Sequence, residues 1–179
     1  STPVVCITGQ VPSHLLGSDA FQETDIIGIS MPVTKWNYQI TKASEIPEIF
    51  AKAFYIAKSG RPGPVLIDIT KDAQFELFDY EYSKCKGIRS YNPLPKINSS
   101  SIDDAVRLIN KAKKPVIVWG QGVILGNAED EFKSFVEKSG IPAAWTILGV
   151  SALPTSHPLN VGMVGMHGNY GPNVLTNEC

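Results

Sequence analysis

Gly60-Arg61-Pro62-Gly63-Pro64-Val65-Leu66-Ile67-Asp68-Ile69-Thr70-Lys71-Asp72 holds a helix stop, a stiff turn, a buried strand and a charged strand end in one uninterrupted run. Gly60 can take the positive φ that ends a helix, and Pro62 and Pro64 fix φ and remove backbone donors ahead of the strand. Residues 65–69 are almost continuously apolar, the pattern of a parallel strand covered on both faces. Arg61 and Lys71 stand at its two ends, and in such sheets ligands gather where strands end.

Outward from this run, a helix leads through a short turn into an apolar strand three times, which predicts α/β layering with parallel sheets. Residues 45–58 predict a helix capped by Ser44, with Ile46, Ile49, Phe50, Ala53, Phe54 and Ala57 on its buried face. A second helix is expected from Ser101, with Asp104 completing the cap and Ile102, Ala105, Val106 and Ile109 buried, feeding a strand at 116–119. A third, over about 128–138, is expected to bury Phe132, Phe135 and Val136, end at Gly140 and feed a strand at 143–145. Residues 4–8 and 26–29 read as further strands. Periodicity is lost between Ala73 and Ser100, where tyrosines, lysines, prolines and serines collect. The expected division is therefore 1–80, a linker over 81–100, and 101–179.

With 43% hydrophobic and 18% charged residues over 179 positions, the chain can bury a proper core. A net charge of -1 without any Lys/Arg cluster argues against nucleic acid or a membrane surface as partner. No apolar run approaches the roughly 20 residues of a membrane span, and no signal peptide opens the chain. The three cysteines, Cys6, Cys85 and Cys179, are odd in number and widely spaced, which argues against a disulfide framework or a zinc site and fits a cytoplasmic location. The start without Met and the uncapped finish at Cys179 suggest a piece of a larger protein.

Several short motifs have two readings. Thr8-Gly9-Gln10 is a strand-to-loop turn or a ligand-binding edge. Asp19-Ala20-Phe21-Gln22-Glu23 is a polar pocket wall, or a solvated turn with Phe21 tucked into the core. Thr34-Lys35-Trp36-Asn37-Tyr38 puts a cation between aromatic rings, as a substrate entrance or an amphipathic surface patch. Arg61 answers the negative end of a helix dipole or forks onto a phosphate. Lys71, beside Asp72 and near Asp68, would gain only about 0–1 kcal/mol from an exposed ion pair. Gly120-Gln121-Gly122 follows a strand and can bring backbone N–H groups to a nucleotide, or is a tight turn; the third glycine of a dinucleotide fingerprint is missing. Val161-Gly162-Met163-Val164-Gly165-Met166-His167-Gly168 can lay backbone and polarizable sulfur against a flat ligand, or is a surface loop. His14, His157 and His167 lack metal-ligand spacing, and no catalytic triad can be assembled.

In order along the chain, Thr8-Gly9-Gln10-Val11-Pro12, Asp19-Ala20-Phe21-Gln22-Glu23-Thr24, Thr34-Lys35-Trp36-Asn37-Tyr38, Gly60 to Asp68, Lys71-Asp72 and Gly165-Met166-His167-Gly168 resemble the large catalytic subunit of acetolactate synthase, also called acetohydroxyacid synthase. That family uses thiamine diphosphate with Mg2+ and carries FAD. The resemblance implies the back part of a pyrimidine-binding thiamine diphosphate domain, followed by the front part of a Rossmann-like central domain that contacts FAD. It makes Gln22 a neighbour of thiamine diphosphate, and Phe21 and Lys71 walls of the substrate channel. Arg61, Gly120, Gly122, Thr146, Ile147, Val164, Gly165, Met166 and His167 become flavin contacts. Val11, Pro12 and Lys35 become positions of the channel where inhibitors bind.

The implied reaction condenses pyruvate with pyruvate or 2-oxobutyrate, releasing CO2, in the branched-chain pathway to valine and isoleucine. The implied assembly is a homo-oligomer with active sites between subunits and a small regulatory subunit. The family's activating glutamate would lie before residue 1 and its diphosphate and Mg2+ motif after residue 179. The isolated chain is therefore expected to be inactive and to hold no cofactor stably. His14 stands where the family often has Arg, and Trp36 where His is common. Trp36 after Pro32-Val33-Thr34-Lys35 is also similar to glyoxylate carboligase, and a non-catalytic nucleotide-binding module is the alternative of a different class.

Overall fold

The computed structural model describes residues 1–94 and 96–179 and divides into two units, Ser1–Ile97 and Asn98–Cys179. The first contains β1 (Val5–Gln10), α1 (Ile26–Ser30), β2 (Trp36–Ile40), α2 (Ile46–Lys58), β3 (Val65–Thr70) and α3 (Lys71–Phe75). Its sheet is parallel with β3 in the centre, in the order β1-β3-β2. Val65 lies opposite both Val5 and Trp36, and Ile67 opposite both Ile7 and Tyr38. The central strand is buried throughout except for Ile69, which is half-buried. Val65, Ile67 and Ile40 pack with Ile49, Ala53, Ile56 and Ala57 of α2, and each fully buried Val or Ile contributes about 1.5–3 kcal/mol. Gly60 ends the α2 region with φ 58°, as the sequence required.

On its other face β3 presents Asp68, fully buried. It accepts the Thr8 hydroxyl at 2.7 Å from one flanking strand and the Gln39 amide at 2.8 Å from the other. A lone buried carboxylate would be costly, and these two donors are what make it tolerable.

Local elements differ from expectation at several places. Residues 26–29 form a helix instead of a strand, because the Asp25 carboxylate accepts the Gly28 N–H at 2.9 Å and nucleates a turn. Ser44 is exposed and caps nothing. Glu45 instead accepts the Thr41 and Lys42 N–H groups at 3.1 and 3.2 Å and the Tyr38 hydroxyl at 2.8 Å. Phe54, expected on the buried face, is 52% exposed, because the sheet covers only the Ile49, Ala53, Ile56 stripe. The stretch from Ala73 is not irregular from its start, since α3 runs on to Phe75.

The second unit contains α4 (Ser99–Lys111), β4 (Ile117–Trp119), α5 (Gln121–Leu125), α6 (Glu129–Ser139), β5 (Ala143–Trp145), β6 (Asn160–Met163) and α7 (Tyr170–Glu178). Its strands are parallel in the sequential order β4-β5-β6. Trp119, Val136, Ala143, Ala152 and Leu153 form its core, with Phe132 tilted against Trp119 at 5.2 Å between ring centroids. Gly140 closes α6 in the left-handed region. The helix expected at Ser101 begins earlier, because Asn98 accepts the Ser100 N–H at 3.1 Å. None of its residues is buried, so Ile102, Ala105, Val106 and Ile109 form an apolar stripe with nothing packed over it among the described residues. Phe135 is likewise exposed, since it points away from the Val136 side of α6. No helix among the described residues is long and apolar enough to cross a membrane.

Candidate functional site

The carboxyl ends of β1 and β3 lie side by side, with Gln10 opposite Thr70. From there the chain leaves β1 through Val11 and Pro12 into a 3-10 turn, Ser13–Leu15, and leaves β3 directly into α3, whose first residue is Lys71. The loop over 16–25 returns to the same edge, because the Gln10 amide donates to the Thr24 carbonyl at 2.6 Å while its oxygen accepts the Val11 N–H at 2.9 Å.

Glu23 shapes the tip of that loop. Its carboxylate accepts the Gly17 N–H and, at 3.0 Å, the Ala20 N–H. These hydrogen bonds, the Gly17 one foremost, hold its carboxyl below the usual range. Gln22 sits there at φ 66° and Asp19 at φ 57°, a conformation that costs a non-glycine residue of order 1 kcal/mol and persists only where the surroundings impose it. The consequence is that Phe21 is 89% exposed, not tucked into the core, and Gln22 is exposed beside it.

Asp72 fixes the other side of the edge. It accepts the Ser13 N–H at 2.9 Å and the Ser13 hydroxyl. The Ser13 hydroxyl is the largest cause holding its carboxyl well below the ordinary carboxylate range. Lys71 is exposed and belongs to no ion pair among the described residues. Val11, Pro12 and Lys71 thus lie at one end of the first sheet, and the loop that carries the exposed Phe21 and Gln22 is tied to that end through Gln10.

Lys35 and Arg61 do not join them. Both precede their strands, so they lie at the amino edge, about 17 Å away along β3 at the rise of a strand residue. The Lys35 ammonium donates to the Ile56 and Ser59 carbonyls at 2.5 and 2.8 Å and to the Tyr91 hydroxyl at 3.1 Å. It thereby satisfies carbonyls at the α2 carboxyl end, the placement a helix dipole favours. Its stem passes over Gly63, where a Cβ would come within 2.8 Å of it. Arg61 is exposed and donates to the Ser1 hydroxyl at 2.9 Å.

In the second unit three loops meet at the carboxyl ends of β4, β5 and β6. The Thr146 N–H donates to the Trp119 carbonyl at 2.9 Å, and the Val164 N–H to the Trp145 carbonyl at 3.0 Å. Gly120 is crowded: an added Cβ would stand 3.0 Å from the Thr146 hydroxyl oxygen, and one on Gly149 would stand 2.9 Å from the Gly120 Cα. The Trp119 indole donates to the Gly149 carbonyl at 2.8 Å and locks this approach. Gly122 and Gly165, by contrast, have nothing within 4 Å of where a Cβ would be. Both are exposed, with open space on the Cβ side of the chain. Gly165, at φ 109°, is clamped by Asn173, which accepts its N–H at 2.9 Å and donates to its carbonyl at 3.0 Å. Ile147, Met166 and His167 are exposed at the loop tips.

A cavity of about 670 Å3 lies elsewhere, between α2 and the Tyr80 to Cys85 stretch. Phe50, Phe54, Tyr80 and Tyr82 line it together with Lys58, Ser59 and Lys84. No group of three His, Cys, Asp or Glu side chains that could hold a metal occurs among the described residues. Sequence reasoning overlooked Gln10, Glu23 and Asp72 as the groups that shape the loops. Gln10 ends β1 and Asp72 follows β3, so a strand-end position was the signal for those two, whereas Glu23 lies far from either strand end and had none.

Residues 102–179 match the family profile "Thiamine pyrophosphate enzyme, central domain". Over the whole chain, the acetolactate synthase large subunit of Corynebacterium glutamicum is 48% identical across 94% of this chain and 27% of its own length. The acetolactate synthase isozyme 1 large subunit of Escherichia coli K12 is 44% identical across 100% of this chain and 31% of its own length. A crystal structure from Mycobacterium smegmatis, of a protein assigned as thiamin diphosphate-dependent, superposes with a TM-score of 0.72 at 25% identity, covering 92% of this chain and 31% of that one. The chain thus spans about a third of the length of the relatives it matches. It is similar along its length to acetolactate synthase large subunits, and its second unit matches the central domain of thiamine pyrophosphate enzymes.

Proposed function

We propose that this chain is a section of an acetolactate synthase large subunit, and that the whole protein joins pyruvate to pyruvate or 2-oxobutyrate with loss of CO2, as a step toward valine and isoleucine. The observation that carries this reading is 44% identity to such a subunit along the entire chain. Residues 1–80 serve as part of the pyrimidine-binding domain and 101–179 as part of the central domain, joined by a linker at 81–100.

Thiamine diphosphate, with Mg2+, supplies the carbanion chemistry when bound, as cofactors do for reactions no side chain can perform. The chain's own residues position and exclude. Gln22 lies against the cofactor, presented by the loop that Glu23 holds. Phe21 and Lys71 line the substrate channel with Val11 and Pro12. The Lys71 ammonium faces the carboxylate of the 2-oxo acid and offers preorganised positive charge where negative charge develops. Lys35 is the weakest member of this set, because its ammonium is already satisfied by α2 carbonyls. Arg61 serves as a contact to FAD, as do Gly120, Gly122, Thr146, Ile147, Val164, Gly165, Met166 and His167. The open space beside Gly122 and Gly165 supports that role. FAD is structural, because the reaction has no net redox change. The protein works in the cytoplasm as a homo-oligomer, with a small regulatory subunit.

Supplying the full-length protein with thiamine diphosphate, Mg2+, FAD and pyruvate should yield acetolactate. Turnover of glyoxylate in preference to pyruvate would move the assignment to glyoxylate carboligase. The 179-residue chain alone should give no product, and tight FAD binding by it without any turnover of the whole protein would favour a nucleotide-binding module.

A further inference from the structure

We infer that Asp72 is a positioning residue that ties the two walls of the carboxyl-edge site together, holding Ser13, and with it Val11 and Pro12, in a fixed place beside Lys71. This rests on the functional reading above, since the spacing of these walls matters to a reaction only if substrate passes between them.

Lys71 and Asp72 are successive residues at the start of α3. Successive residues on a helix do not face each other, so each needs a partner elsewhere or water. Here the Asp72 carboxylate reaches a residue 59 positions earlier and takes both of its donors, the N–H at 2.9 Å on Oδ1 and the hydroxyl on Oδ2. Capturing two donors of one residue fixes orientation as well as distance, and charge-assisted bonds are about twice as strong as neutral ones. Ser13 opens the 3-10 turn, and the Leu15 N–H closes that turn on the Pro12 carbonyl at 2.9 Å. Any rotation of Ser13 therefore carries Val11 and Pro12 with it. No other side chain bonds the Ser13 N–H or hydroxyl among the described residues, so beyond the Gln10–Thr70 end of the ladder this carboxylate ties the β1 exit to the β3 exit. With Asp72 engaged there, the Lys71 ammonium is left for an anionic ligand.

The test is Asp72→Ala in the full-length enzyme. Amide exchange at Ser13 should rise by about ten-fold or more, because its N–H loses its acceptor. KM for pyruvate should rise about ten-fold with kcat changed by less than about two-fold and thiamine diphosphate affinity unchanged. Asp72→Asn, which keeps one acceptor oxygen, and Ser13→Ala, which removes only the hydroxyl, should fall between it and the unaltered enzyme; they decide the matter if Asp72→Ala does not fold. Unchanged exchange at Ser13 would overturn the inference. So would a lowered Tm with unaltered KM, which is what a merely structural carboxylate gives. An unaltered enzyme inert toward pyruvate would sink the functional reading and the channel role together, whereas normal turnover with unchanged exchange would sink the hook alone.

Discussion

The two sheets hold their carboxyl-edge loops by different chemistry. In the first unit carboxylates and an amide do it: Asp72 on Ser13, Glu23 on Gly17 and Ala20, Gln10 on Thr24. In the second the loops are held by absent side chains and neutral amides, with Gly149 pressed on Gly120, Gly168 folded onto the backbone near Met163, and Asn173 gripping Gly165. A loop held by charge is sensitive to protons and tolerant of added bulk. One held by glycine is the reverse.

The largest expected effect breaks the second arrangement. Gly168→Ala places a Cβ 2.4 Å from the Met163 carbonyl oxygen and 2.7 Å from the Val164 carbonyl carbon. Backbone cannot yield as a flexible side chain does, so denaturant unfolding of the second unit should show a loss of about 3 kcal/mol, with the first unit unaffected. Acid should do the converse. Asp72 and Glu23 have folded-state pKa values below their unfolded ones. Their stabilisation is fully present above the unfolded carboxylate value of about 4 and is lost as pH falls from there through the folded values. Amide signals of Ser13 and Gly17 should move in that window while those of Met163 and Gly165 stay, and equal movement in both sets would erase the distinction.

A smaller effect is expected from Glu45→Gln. Burial works to raise the Glu45 carboxyl, but the Tyr38 hydroxyl and the Thr41 and Lys42 N–H groups prevail and lower it. Losing a charged acceptor before α2 should cost about 1 kcal/mol by thermal unfolding. The smallest change should come from Glu48→Gln, which removes an i,i+4 pair with Lys52 on the exposed side of α2 and should cost no more than about 0.5 kcal/mol.

The central strand and its glycine stop were legible in the sequence because a parallel strand covered on both faces has no polar period, and only a few residue types tolerate a left-handed stop. Residues 26–29 were not legible. A short apolar run is ambiguous between strand and helix, and what decided it was Asp25, a cap that reads as an ordinary loop residue. The α4 stripe was read correctly as periodic and wrongly as buried, since periodicity reports a face that needs a partner without saying where one is. Of the candidate site, Lys71 was singled out by its place at a strand end, whereas Val11 and Pro12 were named only through the family resemblance. The exposure of Phe21 and the separation of Lys35 from Lys71 could not be read. They depend on Glu23 folding the loop back and on Gly63 admitting the Lys35 stem, both outcomes of tertiary packing.

The central place of β3 also has a consequence for synthesis. β1 and β2 each pair with β3 and not with each other, so among the described residues neither meets its strand partner until Val65 has been made. The Thr8 to Asp68 bond spans 60 residues, and at about 5–20 residues per second β1 waits roughly 3–12 s for its neighbour. Of the three strands, the central one is thus the last to be made, and the other two join through it.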